Sequence, residues 1–342
     1  MTAPLPRTLH DLPPRWAHFC LGIERFAARD LGVSLGSGRF LVGLSGGLDS
    51  SALLLVCACL AARDQGRIVA AHLDHGLRPE SGQDAEQARA LCAALDIPFR
   101  SVRSDVAALA SARGLGLEDA GRQARHEFFR DVLAQEGLDW VMLGHHLDDL
   151  AEDVLLRLVR GTGWPGLSGM CGRDDSLRSV RPLLLTPKAV LRDLAQDLGL
   201  TWREDESNLA PLFRRNRMRR DVLPLLLEEN PGFLEAVARL WRLGRLDQDY
   251  WTREMDLPGV QPTDGPLLAD SILETSHPAL RLRLYKQILD SLGPGQVLAE
   301  TLFQMDAAWQ ENRLGTVFQF PGDKLAAVTR EGIRFSRKSL EK

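Results

Sequence analysis

The chain is poor in cysteine, and no two cysteines stand where a sulfur relay or a metal cluster would need them. Five occur, Cys20, Cys57, Cys59, Cys92 and Cys171, an odd number at irregular spacing with no C-x-x-C pair. That argues against a disulfide framework and predicts free, mostly buried thiols in a reducing cytoplasm. Long hydrophobic runs are also missing. The longest, Ala52 to Ala62, is about half of what crosses a bilayer. Met1 to Pro14 lacks the apolar core of a signal peptide, so no membrane partner is expected. Nor is there a strong charge of one sign. A formal net charge of −4 argues against a surface that coats nucleic acid uniformly, and leaves room for a local basic patch. Repeats and low-complexity segments are absent. What remains is 342 residues with 44% apolar and 26% charged content, the make-up of an ordinary soluble globular protein of two domains.

One further absence is local. Ser45-Gly46-Gly47-Leu48-Asp49-Ser50-Ser51 lies between the apolar runs Phe40 to Leu44 and Ala52 to Ala62. This is a strand, a glycine turn and a buried helix. The glycines let backbone N–H groups converge, the helix N-terminus adds partial positive charge, and the serines add donors. A pyrophosphate-sized anion fits such a turn. The common phosphate loop carries a lysine, and here Asp49 stands instead. An aspartate repels phosphate unless a cation lies between them, so the loop predicts Mg²⁺ together with a nucleotide. The plainer reading is a turn whose serines only cap the helix.

Past Arg39 the pattern alternates. Strands are expected at Phe40 to Leu44, Arg67 to Leu73, Pro98 to Val102 and Asp139 to Leu143. Helices are expected from the glycine loop to Arg63, at Ser81 to Leu95, Leu117 to Gln135 and Asp148 to Arg160. Such alternation predicts a doubly wound, mostly parallel α/β sheet with ligands beyond the carboxyl ends of its strands. The polar clusters at 45–51, 74–78 and 145–152 all follow strands and should meet. Gly161 to Asp175 reads as a flexible loop. A domain boundary is placed near Arg220, giving domains 1–220 and 221–342. The second is mainly helical (Phe233 to Met255, Ala279 to Leu292) and closes on two β-like stretches, Thr316 to Phe320 and Leu325 to Val328.

His145-His146-Leu147-Asp148-Asp149-Leu150-Ala151-Glu152 gathers five ionisable groups in eight residues. On a helix, Asp149 and Glu152 share a face and could hold an ammonium group by charge-assisted hydrogen bonds. Helix-start electrostatics alone would also explain the acids. Zinc is a further alternative, which the adjacency of His145 and His146 disfavours. Arg214, Arg215, Arg217, Arg219 and Arg220 form a basic run that reads either as a solvated face or as a phosphate contact. Trp241, Trp251 and Trp309, at helical spacing, read as core before base-stacking platforms.

Ser45 to Ser50 resembles the PP-loop of the ATP pyrophosphatases, whose fold is adenine nucleotide alpha-hydrolase-like. With it, Asp74 to Ser81, Gly144 to Glu152, Arg157 to Gly163, Gly166 to Met170, Arg181 to Leu184, Glu204 to Asn208 and Arg215 to Arg219 resemble, in order, the tRNA(Ile)-lysidine synthetases. The likeness covers about residues 40 to 220 and continues, more weakly, over a first C-terminal domain. It implies that a second C-terminal domain of longer members is missing. It also implies a cytoplasmic ligase of tRNA processing. That enzyme joins free L-lysine to C2 of the wobble cytidine in the CAU anticodon of tRNA(Ile), through an adenylated cytidine, and releases AMP and pyrophosphate from ATP. By the same resemblance Ser45, Gly46, Gly47, Leu48, Asp49, Ser50 and Ser51 bind ATP, with His75 and Arg78 at the adenosine end. Asp49 holds Mg²⁺. Asp149 and Glu152 bind lysine, with Asp149 a candidate general base. Arg122 and Arg125 lie near nucleotide and cytidine. His145, His146, Arg215, Asn216 and Arg219 complete the lysine and tRNA end. His126 stands where the family usually has tyrosine, and Gly121 where it has alanine. The sequence does not fix the oligomeric state; a homodimer is the expectation. Competing readings are a PP-loop tRNA thiolase, which the missing C-x-x-C disfavours, a glutamine-using amidotransferase, for which no glutaminase domain is present, and a non-catalytic, nucleotide-sensing RNA-binding module.

Overall fold

The computed structural model describes residues 4–76, 81–203, 214–255 and 265–338. The chain divides into two compact units, one of Met1–Thr162 with Gly166–Trp241 and one of Gly163–Pro165 with Arg242–Lys342. In the first unit α1 (Pro14–Asp30) precedes β1 (Arg39–Gly43), α2 (Leu48–Asp64), β2 (Arg67–Asp74), α3 (Ser81–Leu95) and β3 (Phe99–Arg103). Next come α4 (Val106–Arg113), α5 (Leu117–Glu136), β4 (Trp140–Met142), α6 (Leu147–Val159), β5 (Arg173–Asp174), β6 (Ser179–Val180) and α7 (Lys188–Asp197). After residue 213, α8 (Arg214–Arg217), a π-helical turn (Met218–Val222) and α9 (Leu223–Glu229) run on continuously, and α10 (Phe233–Glu254) carries the chain past Trp241.

The six strands lie in the order β3-β2-β1-β4-β6-β5. All neighbours are parallel except the short β5. Strand pleating sends alternate residues to opposite faces. Phe40, Val42, Ile68 and Ala70 therefore face α2, while Leu41, Val69, Ala71 and Val141 meet Phe129, Val132 and Leu133 of α5. Helix α2 is buried on nearly every side, with α1 and α7 packed on it, which is why its sequence is a continuous apolar run and not an amphipathic stripe. The chain winds outward from β1 to β3 and returns to place β4 beside β1. The loops that leave β1 and β4 therefore part at a topological switch point, where doubly wound sheets take their ligands.

The expected parallel sheet and its helices are present. Helices α1 and α4 were not anticipated. Residues 161–175 are more ordered than a flexible loop: Gly166–Ser168 form a helical turn, Arg173–Asp174 form β5, and Arg157 donates to the Gly166 carbonyl at 3.0 Å. Cys20, Cys57, Cys59 and Cys92 are buried and free, and Cys171 is exposed and free. Burial pushes the Cys20, Cys59 and Cys92 thiols up to about 12, which suits packing and not redox chemistry. Among the described residues no helix is long and apolar enough to cross a membrane.

The second unit adds β7 (Leu267–Ala269), α11 (Asp270–Thr275), α12 (Pro278–Ser291), α13 (Ala299–Gln310), β8 (Val317–Phe320), β9 (Lys324–Thr329) and β10 (Gly332–Arg337). Its helices come with an antiparallel sheet in the order β7-β10-β9-β8, two strands more than the sequence suggested. Ile333 and Phe335 of β10 are buried with Leu284, Leu289 and Met305. Beneath them Asp306 accepts from Arg281 Nε at 2.7 Å and Nη2 at 2.8 Å, from Tyr285 Oη at 2.9 Å and from Gln310 Nε2 at 2.6 Å. Trp309 donates to Asp270 at 2.6 Å and lies under the Arg281 guanidinium, so it is a packing residue.

Removing one partner of a buried ion pair costs about 3–5 kcal/mol, because the other charge is left uncompensated. Asp306→Ala is therefore expected to destabilise the second unit by roughly that amount in urea unfolding. Burial works to raise the Asp306 pKa, but the hydrogen bonds from Arg281 and Tyr285 overcome it and hold the carboxyl below its usual 3.8. The stabilisation is complete above 3.8 and is lost as pH falls through the lower folded value. The mutant should lack that acid-dependent component.

Candidate active site

The glycine loop after β1 is held by its own serines. Ser45 N donates to Ser50 Oγ at 3.1 Å, Ser45 Oγ lies 3.0 Å from Ser50 Oγ, and Ser50 Oγ donates to the Gly47 carbonyl at 3.2 Å. Gly46 has φ +86°, a left-handed conformation that a side chain would oppose. Gly47 is the N-cap of α2, and no side chain caps it. The first N–H groups of a mostly buried helix are thus left to an outside acceptor. The backbone of Arg203 donates to the Gly46 carbonyl at 3.2 Å and its side chain pairs with Asp84 at 3.3 Å.

Beside this loop stands the one after β4. Phe40, Leu41 and Val42 pair directly with Trp140, Val141 and Met142. A Cβ on Gly144 would lie 3.0 Å from both the Asp49 carbonyl carbon and Ser50 N, so the second loop crosses the start of α2 at van der Waals contact. The next residues bring the two sequence clusters together. His146, 1% exposed, has Nε2 at 3.5 Å from Asp49 Oδ2 and 3.4 Å from Asp149 Oδ2, and Nδ1 at 3.5 Å from Asp148 Oδ2. Burial opposes the imidazolium, but Asp148, Asp49 and Asp149 outweigh it and raise its pKa to about 9. His145 takes the opposite state. Burial lowers its pKa to about 3; Asp149 works against this, while Arg181, Arg215 and Arg125 add to it.

The acids serve as caps on one side and as a cation site on the other. Asp148 Oδ2 accepts from Lys188 N at 2.8 Å, at the start of α7, and Asp149 Oδ2 accepts from His146 N at 3.1 Å, at the start of α6. Glu152, with 0% exposure, points the same way as Asp149. Their oxygens are met by two arginines of the 214–222 helix. Arg215 donates from Nε to Glu152 Oε2 at 2.8 Å and from Nη2 to Asp149 Oδ1 at 3.2 Å. Arg219 donates from Nε to Glu152 Oε1, and from Nη2 to Asp149 Oδ1 at 3.0 Å and Glu152 Oε2 at 3.2 Å. Burial acts to raise the Asp149 pKa, yet the neighbouring His146, Arg215 and His145 hold it below the usual carboxylate range.

The remaining expected residues fall around this centre. His75 follows β2, and a Cβ on Gly121 of α5 would sit 3.3 Å from its Nδ1; the glycine makes room for the imidazole, which accounts for the missing alanine. Arg122 and Arg125 lie on α5 on an accessible face, with no carboxylate ion pair recorded for either among the described residues. Desolvation by its neighbours, with Arg122 beside it, lowers the Arg125 pKa even though its side chain reaches solvent. His126 is likewise lowered by burial and by Arg122, Arg125 and Arg181, so it presents a neutral ring. Asn216 follows Arg215 in α8. Arg220 pairs with its neighbour Asp221 at 2.7 Å, so the basic run splits between the acid pair and the surface. Arg78 and the stretch 204–208 lie outside the described residues.

Two residues at the site were not singled out from the sequence. Lys188 Nζ is 3.8 Å from Asp49 Oδ2, a cation at the glycine loop supplied from a distant helix start. Arg181, 7% exposed, donates to the Cys171 carbonyl at 2.8 Å and leaves a buried Nε without a hydrogen-bond partner. The Pro187-Lys188 helix start was the only local signal for the first. The second lies in the stretch Arg181 to Leu184, matched above to the family but given no role there.

Comparison with known proteins gives the family and fold. The PP-loop domain family matches residues 23–226. The tRNA(Ile)-lysidine synthase of Nitratidesulfovibrio vulgaris is 46% identical over 316 residues, covering 86% of this chain and 91% of that protein. Those of Geobacter sulfurreducens and Enterococcus faecalis are 34% and 35% identical, over 89% and 65% of this chain. The chain spans 66% and 48% of the length of these two relatives. Among solved structures, a U34-tRNA thiolase of Methanococcus maripaludis with a [4Fe-4S] cluster superposes with TM-score 0.55 at 18% identity, covering 66% of this chain and 77% of that one; at that identity the likeness is one of fold. A PP-loop family match across more than half the chain, together with a relative of nearly half identity along most of its length, shows that the chain belongs to the tRNA(Ile)-lysidine synthase family.

Proposed function

We propose that this chain activates C2 of the wobble cytidine in the CAU anticodon of tRNA(Ile) with ATP and then joins it to the ε-amine of free lysine. The observation that carries this reading is the juxtaposition at the switch point: Asp49 of the glycine loop and Asp149 of the acid pair both stand within 3.5 Å of one imidazole. An anion site and an amine site share one wall.

The cytosine C2 oxygen is a poor leaving group until it carries AMP. The loop 45–51 would take the triphosphate by its N–H groups and serines. Asp49 Oδ1 is buried and has no hydrogen-bond partner, which fits a carboxylate meant for a cation, and Mg²⁺ there would neutralise pyrophosphate charge. Arg122 and Arg125, exposed on α5 and in no ion pair among the described residues, are placed to meet charge developing on the α-phosphate or the tRNA backbone. Asp149 and Glu152 would hold the lysine amine by charge-assisted hydrogen bonds. The charges that keep Asp149 ionised suit it to orient an ammonium; whether it also takes the proton depends on which cation faces it at that moment. His75 flanks the adenosine side, and Arg215 and Asn216 the substrate side. We assign tRNA contact also to the second unit, and cytoplasmic residence and a homodimer as the working assembly.

The test is incorporation of radiolabelled lysine into bulk tRNA with and without ATP. Labelling should require ATP and fall on one isoacceptor. Asp49→Ala should abolish it, and Asp149→Asn should raise the lysine requirement or stop turnover; wild-type labelling by either variant would refute the assignment. Gly144→Ala probes the shared wall itself. Its methyl group would force the start of α2 away from the loop after β4 by a few tenths of an ångström; a 1 Å misplacement can cost about 100-fold in turnover, so this smaller shift should cost roughly severalfold. The loss should appear in kcat/KM for ATP while the melting temperature changes little. An unaltered kcat/KM would show that the two loops need not touch.

A further inference from the structure

The acid pair that should receive lysine is already filled. Each oxygen of Asp149 and Glu152 accepts a hydrogen bond, from Arg215, Arg219 or the His146 backbone. Two carboxylates face two guanidiniums, and Glu152 is wholly shielded from water. An ammonium added to this set would have to share oxygens that already accept from a guanidinium or a backbone N–H, and would leave one buried positive charge uncompensated. An amine can enter only if a guanidinium leaves.

We propose that Arg219 is a latch on the amine subsite, closing it in the free enzyme and releasing it when nucleotide phosphate arrives. This rests on the assignment of Asp149 and Glu152 to lysine binding given above. Three features select Arg219 over Arg215. It spans both carboxylates with three of the five guanidinium contacts, so its departure frees the most acceptor capacity. It lies in the π-helical turn Met218–Val222, between two α-helical segments. A π-helical turn holds one residue more than the α-helix around it and can relax to α geometry with a rotation of its side chains, a pivot that Arg215 in α8 lacks. Finally, Asp49 of the glycine loop is among the charges that act on it, so a polyanion bound at that loop would offer it a new partner.

The charge count sets the order of events. With Arg219 drawn to phosphate, the acid pair keeps Arg215 and is one positive charge short, which one ammonium restores. Lysine is thereby admitted after ATP, when an activated cytidine can be formed for it to attack. ATP and lysine should show positive coupling through a single side chain, and by linkage the coupling is reciprocal.

Equilibrium dialysis of radiolabelled lysine against the full chain, with and without α,β-methylene-ATP and Mg²⁺, tests this. Wild type should bind lysine about tenfold more tightly with the analogue than without it, a coupling of ~1.4 kcal/mol. Arg219→Gln should bind lysine tightly without the analogue and gain nothing from it. Arg219→Lys keeps the cation but loses the fork and should fall between; it also serves if the glutamine variant does not fold. Arg215→Gln should bind lysine no better than wild type. The latch is refuted if wild-type affinity is the same with and without the analogue, or if both Arg219 variants bind lysine more weakly than wild type. Lysine transfer to tRNA by the wild type, run in parallel, separates the two ideas: intact ligation with no coupling defeats the latch alone, while absent lysine binding together with absent ligation defeats the site assignment as well.

Discussion

Opposite electrostatic demands meet within a few ångströms, and the architecture of the first unit answers to that. Under the assignment proposed above, the start of α2 accepts a polyanion, while Asp149 and Glu152 accept a cation. Left alone, a helix N-terminus and a buried acid pair would each recruit the wrong neighbour. His146 stands between them with Asp49 on one side and Asp149 on the other, and its raised pKa of about 9 lets an imidazolium screen two carboxylates from each other at neutral pH. The strand order makes this possible. Only because β4 returns to the side of β1 do loops 45–51 and 144–152 leave the sheet together, and only a glycine at 144 lets them touch.

Local signals explain what could be read from the sequence. The glycine loop, the His145–Glu152 cluster and the alternation of strands and helices are patterns of neighbouring residues, and they gave the sheet, its switch point and the meeting of the two clusters. Pairings across long separations left no such trace. The contacts of Arg215 and Arg219 with Glu152 join residues 63 and 67 positions apart, and the basic run reads equally well as a solvated face. Lys188 reaches Asp49 from the start of α7, and Arg181 is buried beside the Cys171 carbonyl, to which it donates. Strand β10 failed for another reason: Ile333 and Phe335 alternate with Arg334 and Ser336 as a half-buried strand should, but over a stretch too short to stand out beside the helices before it.

The second unit meets its own constraint by ionic packing. A small helix-and-sheet unit buries few large side chains, and Arg281, Asp306, Tyr285 and Gln310 share one hydrogen-bonded set at its centre. Lys324, fully buried, donates to the carbonyls of Gly293 at 3.2 Å and Gly295 at 2.8 Å, tying a glycine-rich turn to β9. Such networks fix a unique arrangement only while every member is satisfied. In this unit the polar set works together with the apolar core of Leu284, Leu289, Met305, Ile333 and Phe335 around it.

A site that holds two guanidiniums raises a question of selectivity, because free arginine presents the same fork to the same carboxylates. Binding alone gives little basis for rejecting it. The chemistry gives a strong one. A guanidinium keeps its proton at any physiological pH, whereas an ammonium, with a reference pKa near 10.4, can lose one to a neighbouring carboxylate or water and become a nucleophile. The enzyme's own arginines can occupy the acid pair indefinitely without reacting, and so could a free one. If the acid pair is the lysine site, as proposed, selection for lysine lies in the step that makes the amine neutral and not in the step that docks it. That is consistent with an acid pair whose potential is set by charge, with Arg215 and Arg219 on both carboxylates and His146 beside Asp149.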